Sequence, residues 1–196
     1  MGSLTSTPAW YLMRGSGVVT LILLTGVVVL GIATSRRAQL GQLPRFVTVG
    51  VHRSISLLAV IFLAIHVVTA IVDPYASVRL LQIVLPLPYG PYPLWLALGA
   101  LSLDVLAAVI ITSLVRQHLS QRVWKTVHWL SYASWPLAFT HSIGIGTDKS
   151  SVWFLGVAIT CSAAIVTATA WRLAGSGREL PKHLGSPLRP VGEGTA

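Results

Sequence analysis

Apolar residues in this chain come in long unbroken stretches, neither alternating as in a half-buried strand nor confined to one stripe as in a soluble amphipathic helix. Five stretches, near 12–34, 49–72, 92–115, 123–143 and 151–173, match the roughly 20 helical residues that cross a hydrocarbon core about 30 Å thick. They predict an all-α fold, an integral membrane bundle of five transmembrane helices over 12–173. A short outer segment, 1–11, precedes it, and a basic Gly- and Pro-rich cytoplasmic tail, 174–196, has the composition of a disordered segment. Between the second and third stretches, VRLLQIVLPLPYGPYP (78–93) is apolar but short and interrupted by prolines, which suits an interfacial segment on the outer face better than another span. The first stretch lacks a basic n-region and is followed by Arg36 and Arg37, so it reads as an N-out helix and not as a cleaved signal peptide.

Composition sharpens this picture. Hydrophobic residues make up 54% of the chain and charged ones 10%, against about 25% charged in soluble domains. The net charge of +9 would suggest nucleic acid if the bases were clustered on a soluble face, but they sit in short loops beside apolar runs. Arg36, Arg37, Arg45 and Arg53 follow the first stretch, Arg116, Arg122 and Lys125 the third, and Arg172, Arg178, Lys182 and Arg189 the fifth. Arg14, Arg79 and Lys149 are left for the opposite side, so the positive-inside rule gives N-out and C-in in the plasma (cell inner) membrane, with no nucleic-acid partner. Trp10, Tyr11, Tyr75, Tyr89, Tyr92, Trp95 and Trp153 gather at predicted outer ends and Trp124 and Trp171 at inner ones, as an aromatic belt would. A single cysteine, Cys161, excludes disulfide frameworks and thiolate metal clusters within the chain.

Ionisable groups at membrane depth are costly and mark function by default. His52 and His66 lie on the second stretch and His128 and His141 on the fourth, whereas His118 and His183 fall in a loop and the tail. Fourteen residues separate the first pair, close to four turns, so both rings share a face about 21 Å apart. Thirteen separate the second pair, about 20 Å, and an ideal helix would turn those rings apart. Pro136 lies between them, and a distortion near Ser131–Pro136 is expected to restore the alignment. Both stretches run inside to outside, so His52 lies level with His128 and His66 with His141. Two axial imidazoles per level suit a low-spin haem b, and two such haems are expected; tetrahedral zinc would need more ligands at each level. The competing interpretation is that of core histidines bonded to neighbouring carbonyls.

The pattern H-R-x(12)-H in HRSISLLAVIFLAIH, one intervening span and then HWLSYASWPLAFTH resembles the ferric reductase-like transmembrane domain shared by NADPH oxidases, ferric reductases and related bacterial haem proteins. The resemblance covers about 10–173. It implies that His52 and His128 bind the iron of an inner haem and His66 and His141 that of an outer one. Two departures stand out: the oxidase members usually have six helices, and no flavin or nicotinamide domain follows the last stretch here. A flavin is therefore expected only on a separate partner, if at all, with a donor protein or membrane quinol supplying electrons and an outer-face acceptor, such as a ferric chelate, receiving them.

Other residues keep two readings each. Arg53, Arg122 and Lys125 suit either propionates of the inner haem or interfacial anchoring, and Arg14, in WYLMRGSG, suits a propionate or substrate at the outer haem. Asp104 fits a structural hydrogen bond or a proton path, and Trp135 fits core packing or a place between the haems. The expected function is electron transfer from a cytoplasmic or membrane donor to the outer face, as an oxidoreductase component. Its rivals are a haem subunit feeding a separate periplasmic reductase, as in the bacterial methionine sulfoxide system, and a haem-free transporter or assembly protein.

Overall fold

The computed structural model describes residues 8–35, 45–74, 76, 78–86, 92–146 and 148–176. All regular structure among them is helical: α1 (Pro8–Ser35), α2 (Arg45–Val72), the short α3 (Leu80–Val84), α4 (Pro93–Leu114), a single 3₁₀ turn (Arg116–His118), α5 (Gln121–Trp129), α6 (Ser131–Ile145) and α7 (Val152–Ser176). Tyr75, Tyr89, Arg36, Arg37, His183 and most of the basic tail lie outside the described residues.

Four of these helices, α1, α2, α4 and α7, are long and apolar enough to cross a membrane. The fourth expected span, 123–143, is not one continuous helix: it divides at Leu130 into α5 and α6. Here the backbone tightens, with Leu130 N–H donating to Val127 O and Ala133 N–H to Leu130 O, both at 2.9 Å and both reaching back three residues rather than four. Carbonyls loosened by the break find hydroxyls, because Ser131 Oγ donates to His128 O and Ser134 Oγ to Ser131 O, each at 2.7 Å. From the neighbouring helix, Ser102 Oγ donates to Ser134 O at 3.0 Å. Pro136 then sits inside α6, where it removes one more backbone donor. The distortion expected at Ser131–Pro136 thus begins one residue earlier and is built from a tightened turn.

Helix α1 is central. It packs most extensively on α2 and also on α6 and α7, while α4 packs mainly on α6. Its buried positions, Ser16, Thr20, Leu21, Leu24, Thr25, Val28, Ile32 and Ala33, recur at steps of one, three and four and so form an inward stripe. Leu24, Val28 and Ile32 meet Trp135 of α6 and Cys161 of α7 in the core. Thr20 and Thr25 return their hydroxyls to Ser16 O and Leu21 O within the same helix, so no polar group on this stripe depends on water. The segment after α2 contributes α3, which packs on α4.

Candidate functional site

The four helix histidines come together as two pairs. Histidines 52 and 66 project from α2, and 128 and 141 from the α5–α6 unit, into the space between these helices. The His52 and His128 ring centres are 6.4 Å apart with planes inclined at 68°, and those of His66 and His141 are 6.5 Å apart at 82°. Two metal–imidazole bonds of about 2 Å, each with roughly 1.1 Å from nitrogen to ring centre, span about 6 Å. Each pair is therefore spaced to hold one metal ion between two imidazoles.

The break at Leu130 makes the second pair possible. Thirteen α-helical residues turn about 1,300°, roughly 140° short of four turns. Each residue tightened from about 100° to about 120° in the turns about Leu130 recovers some 20° of that. His141 is thereby brought to the side of the bundle that His128 faces.

Ring orientation is fixed differently at the two levels. His66 Nδ1 lies 2.7 Å from Met13 O on α1, and His141 Nδ1 lies 2.7 Å from Trp95 O on α4. A carbonyl can only accept, so each Nδ1 carries the proton and each Nε2 keeps a free lone pair, the tautomer that a metal requires. At the other level, His52 Nδ1 and His128 Nδ1 are buried without a hydrogen bond. The backbone of Val27 lies near the His52 ring. His128 instead stacks on Trp124, with ring centres 4.9 Å apart, and the Arg116 guanidinium lies 4.2 Å from the Trp124 ring centre.

A cavity of about 380 Å³ holds both His66 and His141, within the about 300–1,000 Å³ typical of cofactor and ligand clefts. Gln82 and Ile83 of α3 form part of its wall, so the interfacial segment anticipated at 78–93 does border the site. Arg14 and Asp148 line the same cavity and form an ion pair, and the Arg14 guanidinium lies 4.2 Å from the Trp10 ring centre. Arg53, beside His52, is exposed, as are Arg122 and Lys125, and Asp104 does not line the cavity. Trp135 is buried on α6 between the two histidine levels, stacks on Phe139 at 4.9 Å and donates its Nε1–H to Thr25 Oγ1 at 2.8 Å.

The family model described as "Ferric reductase like transmembrane component" matches residues 16–139. The chain belongs to this family. Membership places it among membrane electron-transfer components, a family that typically binds haem. The match takes in His52, His66 and His128 and ends two residues before His141, which the fold of this ferric reductase-like chain sets opposite His66. No curated protein and no solved structure matches the chain.

Sequence reasoning missed Asp148, Trp124, Arg116 and the carbonyls of Met13 and Trp95. The last two carried no possible side-chain signal. Asp148 had one, since it adjoins Lys149, which the charge pattern puts on the same side as Arg14.

Proposed function

We propose that this ferric reductase-like chain is a di-haem b electron-transfer protein, with His52 and His128 holding an inner haem and His66 and His141 an outer one. The observation that carries this reading is the pair of matched ring separations, 6.4 and 6.5 Å, with both outer Nε2 atoms left free to ligate. Bis-imidazole haem iron supplies one-electron chemistry at low reorganisation cost and has no open coordination position.

The chain's own residues do the rest. The histidines set the level of each site along the membrane normal, and His66 and His141 stay locked in the ligating tautomer. Arg14, tied to Asp148 on the cavity wall, offers guanidinium donors to a propionate or an anionic ferric chelate. Trp135 fills the space between the two levels and keeps water out of it. The distribution of Lys and Arg favours N-out and C-in in the plasma membrane, so electrons pass from a cytoplasmic protein or membrane quinol to an acceptor at the Arg14 face. Under this reading 12–173 is the haem-binding domain, flanked by the outer segment 1–11 and the cytoplasmic tail 174–196.

The test is a reduced-minus-oxidised visible spectrum of the detergent-purified chain, with haem quantified per polypeptide. About two low-spin b-type haems per chain are expected, falling to one in His66→Ala and one in His128→Ala. A colourless, folded protein would overturn the proposal and leave the histidines as packing or proton-handling groups.

A further inference from the structure

Three glycines stand against the histidine rings, and their positions in the helices follow one rule. Met13 O accepts from His66, and a Cβ built on Gly17, four residues on, would lie 2.9 Å from His66 Nδ1. Trp95 O accepts from His141, and a Cβ on Gly99, again four residues on, would lie 2.6 Å from His141 Nδ1. The Val27 backbone lies near the His52 ring without a hydrogen bond to its Nδ1, and a Cβ on Gly31, once more four residues on, would sit 3.6 Å from His52 Cε1.

The spacing has a physical cause. In an α-helix the carbonyl of residue i bonds the N–H of residue i+4, and Cβ of residue i+4 tilts toward the N-terminus, over that carbonyl. A side chain there covers the second lone pair of the carbonyl. Glycine uncovers it, so that a ring from a neighbouring helix can reach in and donate. On α1 the carbonyl–glycine spacing occurs twice, at Met13/Gly17 with a bonded ring and at Val27/Gly31 without one, fourteen residues apart, the same step that separates His66 from His52 on the antiparallel α2. Helix α4 has it once. Thirteen residues beyond Gly99 stands Thr112, whose hydroxyl donates to Ala108 O at 2.7 Å, and next to it Ser113. No glycine there serves His128, whose Nδ1 has no hydrogen bond.

We infer that Gly17 and Gly99 are positioning residues for the outer ligand pair: each opens one helix carbonyl to a histidine Nδ1–H and so fixes the tautomer and plane of His66 and His141. At the inner level neither ring is held in this way: a Cβ on Gly31 would meet His52 only in ordinary contact, and neither His52 nor His128 makes an Nδ1 hydrogen bond. The inference rests on the proposed haem function for its consequences, but the hydrogen bonds themselves are a property of the polypeptide.

The experiment therefore has two readouts, both on the full chain in detergent micelles. The first is ¹⁵N NMR of the histidine-labelled, haem-free chain. His66 and His141 should each show a single Nδ1–H tautomer, and Gly17→Ala should turn His66, and Gly99→Ala His141, into a mixture, while Gly31→Ala leaves all four signals in place. The second is a potentiometric titration with low-temperature EPR of the loaded chain. Gly17→Ala and Gly99→Ala should each lose the outer haem or raise its midpoint potential and move its low-spin signal, with the inner haem unchanged. Unaltered tautomers in the first two variants would overturn the inference, and so would equal damage from Gly31→Ala, the mark of general packing. Fixed tautomers in a chain that takes up no haem would overturn the haem function and leave the positioning role standing.

Discussion

At the scale of single residues, Trp135 and Thr25 form a small polar contact in an otherwise apolar core. The Trp135 N–H donates to Thr25 Oγ1 while the Thr25 hydroxyl donates to Leu21 O, so every donor in the group has one acceptor. Thr25→Val keeps the shape but strands the indole N–H, which should cost about 1–3 kcal/mol, read as a lowered unfolding midpoint in detergent. Thr25→Ser should restore most of it. The four histidines were legible in the sequence because an imidazole in an apolar run has few innocent explanations. The glycines were not, because a chain with 17 of them gives no hint which ones face a ring. Only the three-dimensional pairing of α1 with α2 and α4 with α6 separates Gly17 and Gly99 from the rest.

At the scale of elements, the divided fourth span illustrates how far periodicity carries. A spacing of thirteen required some distortion, and Pro136 marked the region, but the remedy lies in the tightened turn about Leu130. The proline only prevents re-formation of one bond; the serines at 131 and 134 make the break tolerable by capping its carbonyls. Deletion of Leu130 should turn His141 by about a further 100° out of register with His128. Purified protein should then retain one haem, and the EPR signal that disappears should be the one assigned to His66 and His141 by His66→Ala.

At the scale of the molecule, two faces differ in charge and in construction. One end carries Arg116 stacked on Trp124 and the exposed Arg122 and Lys125, and the other carries the Arg14–Asp148 pair beside the cavity. On the proposed N-out, C-in topology these ends face the cytoplasm and the exterior. In a Cys161→Ser background, Lys149→Cys should react with a membrane-impermeant maleimide added outside intact cells, and Lys125→Cys only after permeabilisation; the reverse pattern would invert the topology. The ends of α1, α2, α4 and α7 were legible within a few residues because length and hydropathy fix them, whereas the ion pair that joins α1 to the turn before α7 depends on packing across the whole chain.

The self-contained hydroxyls of α1 bear on how such a chain is made. This helix is synthesised ahead of the other described helices, and two of those that cover its inward stripe, α6 and α7, follow about a hundred residues or more after it. A helix whose Ser and Thr groups needed those partners would wait in lipid with polar atoms unmatched. Because Ser16, Thr20 and Thr25 each bond a carbonyl of their own helix, these hydroxyls are matched before α6 and α7 arrive, and the later helices are added to a stripe that lipid already tolerates.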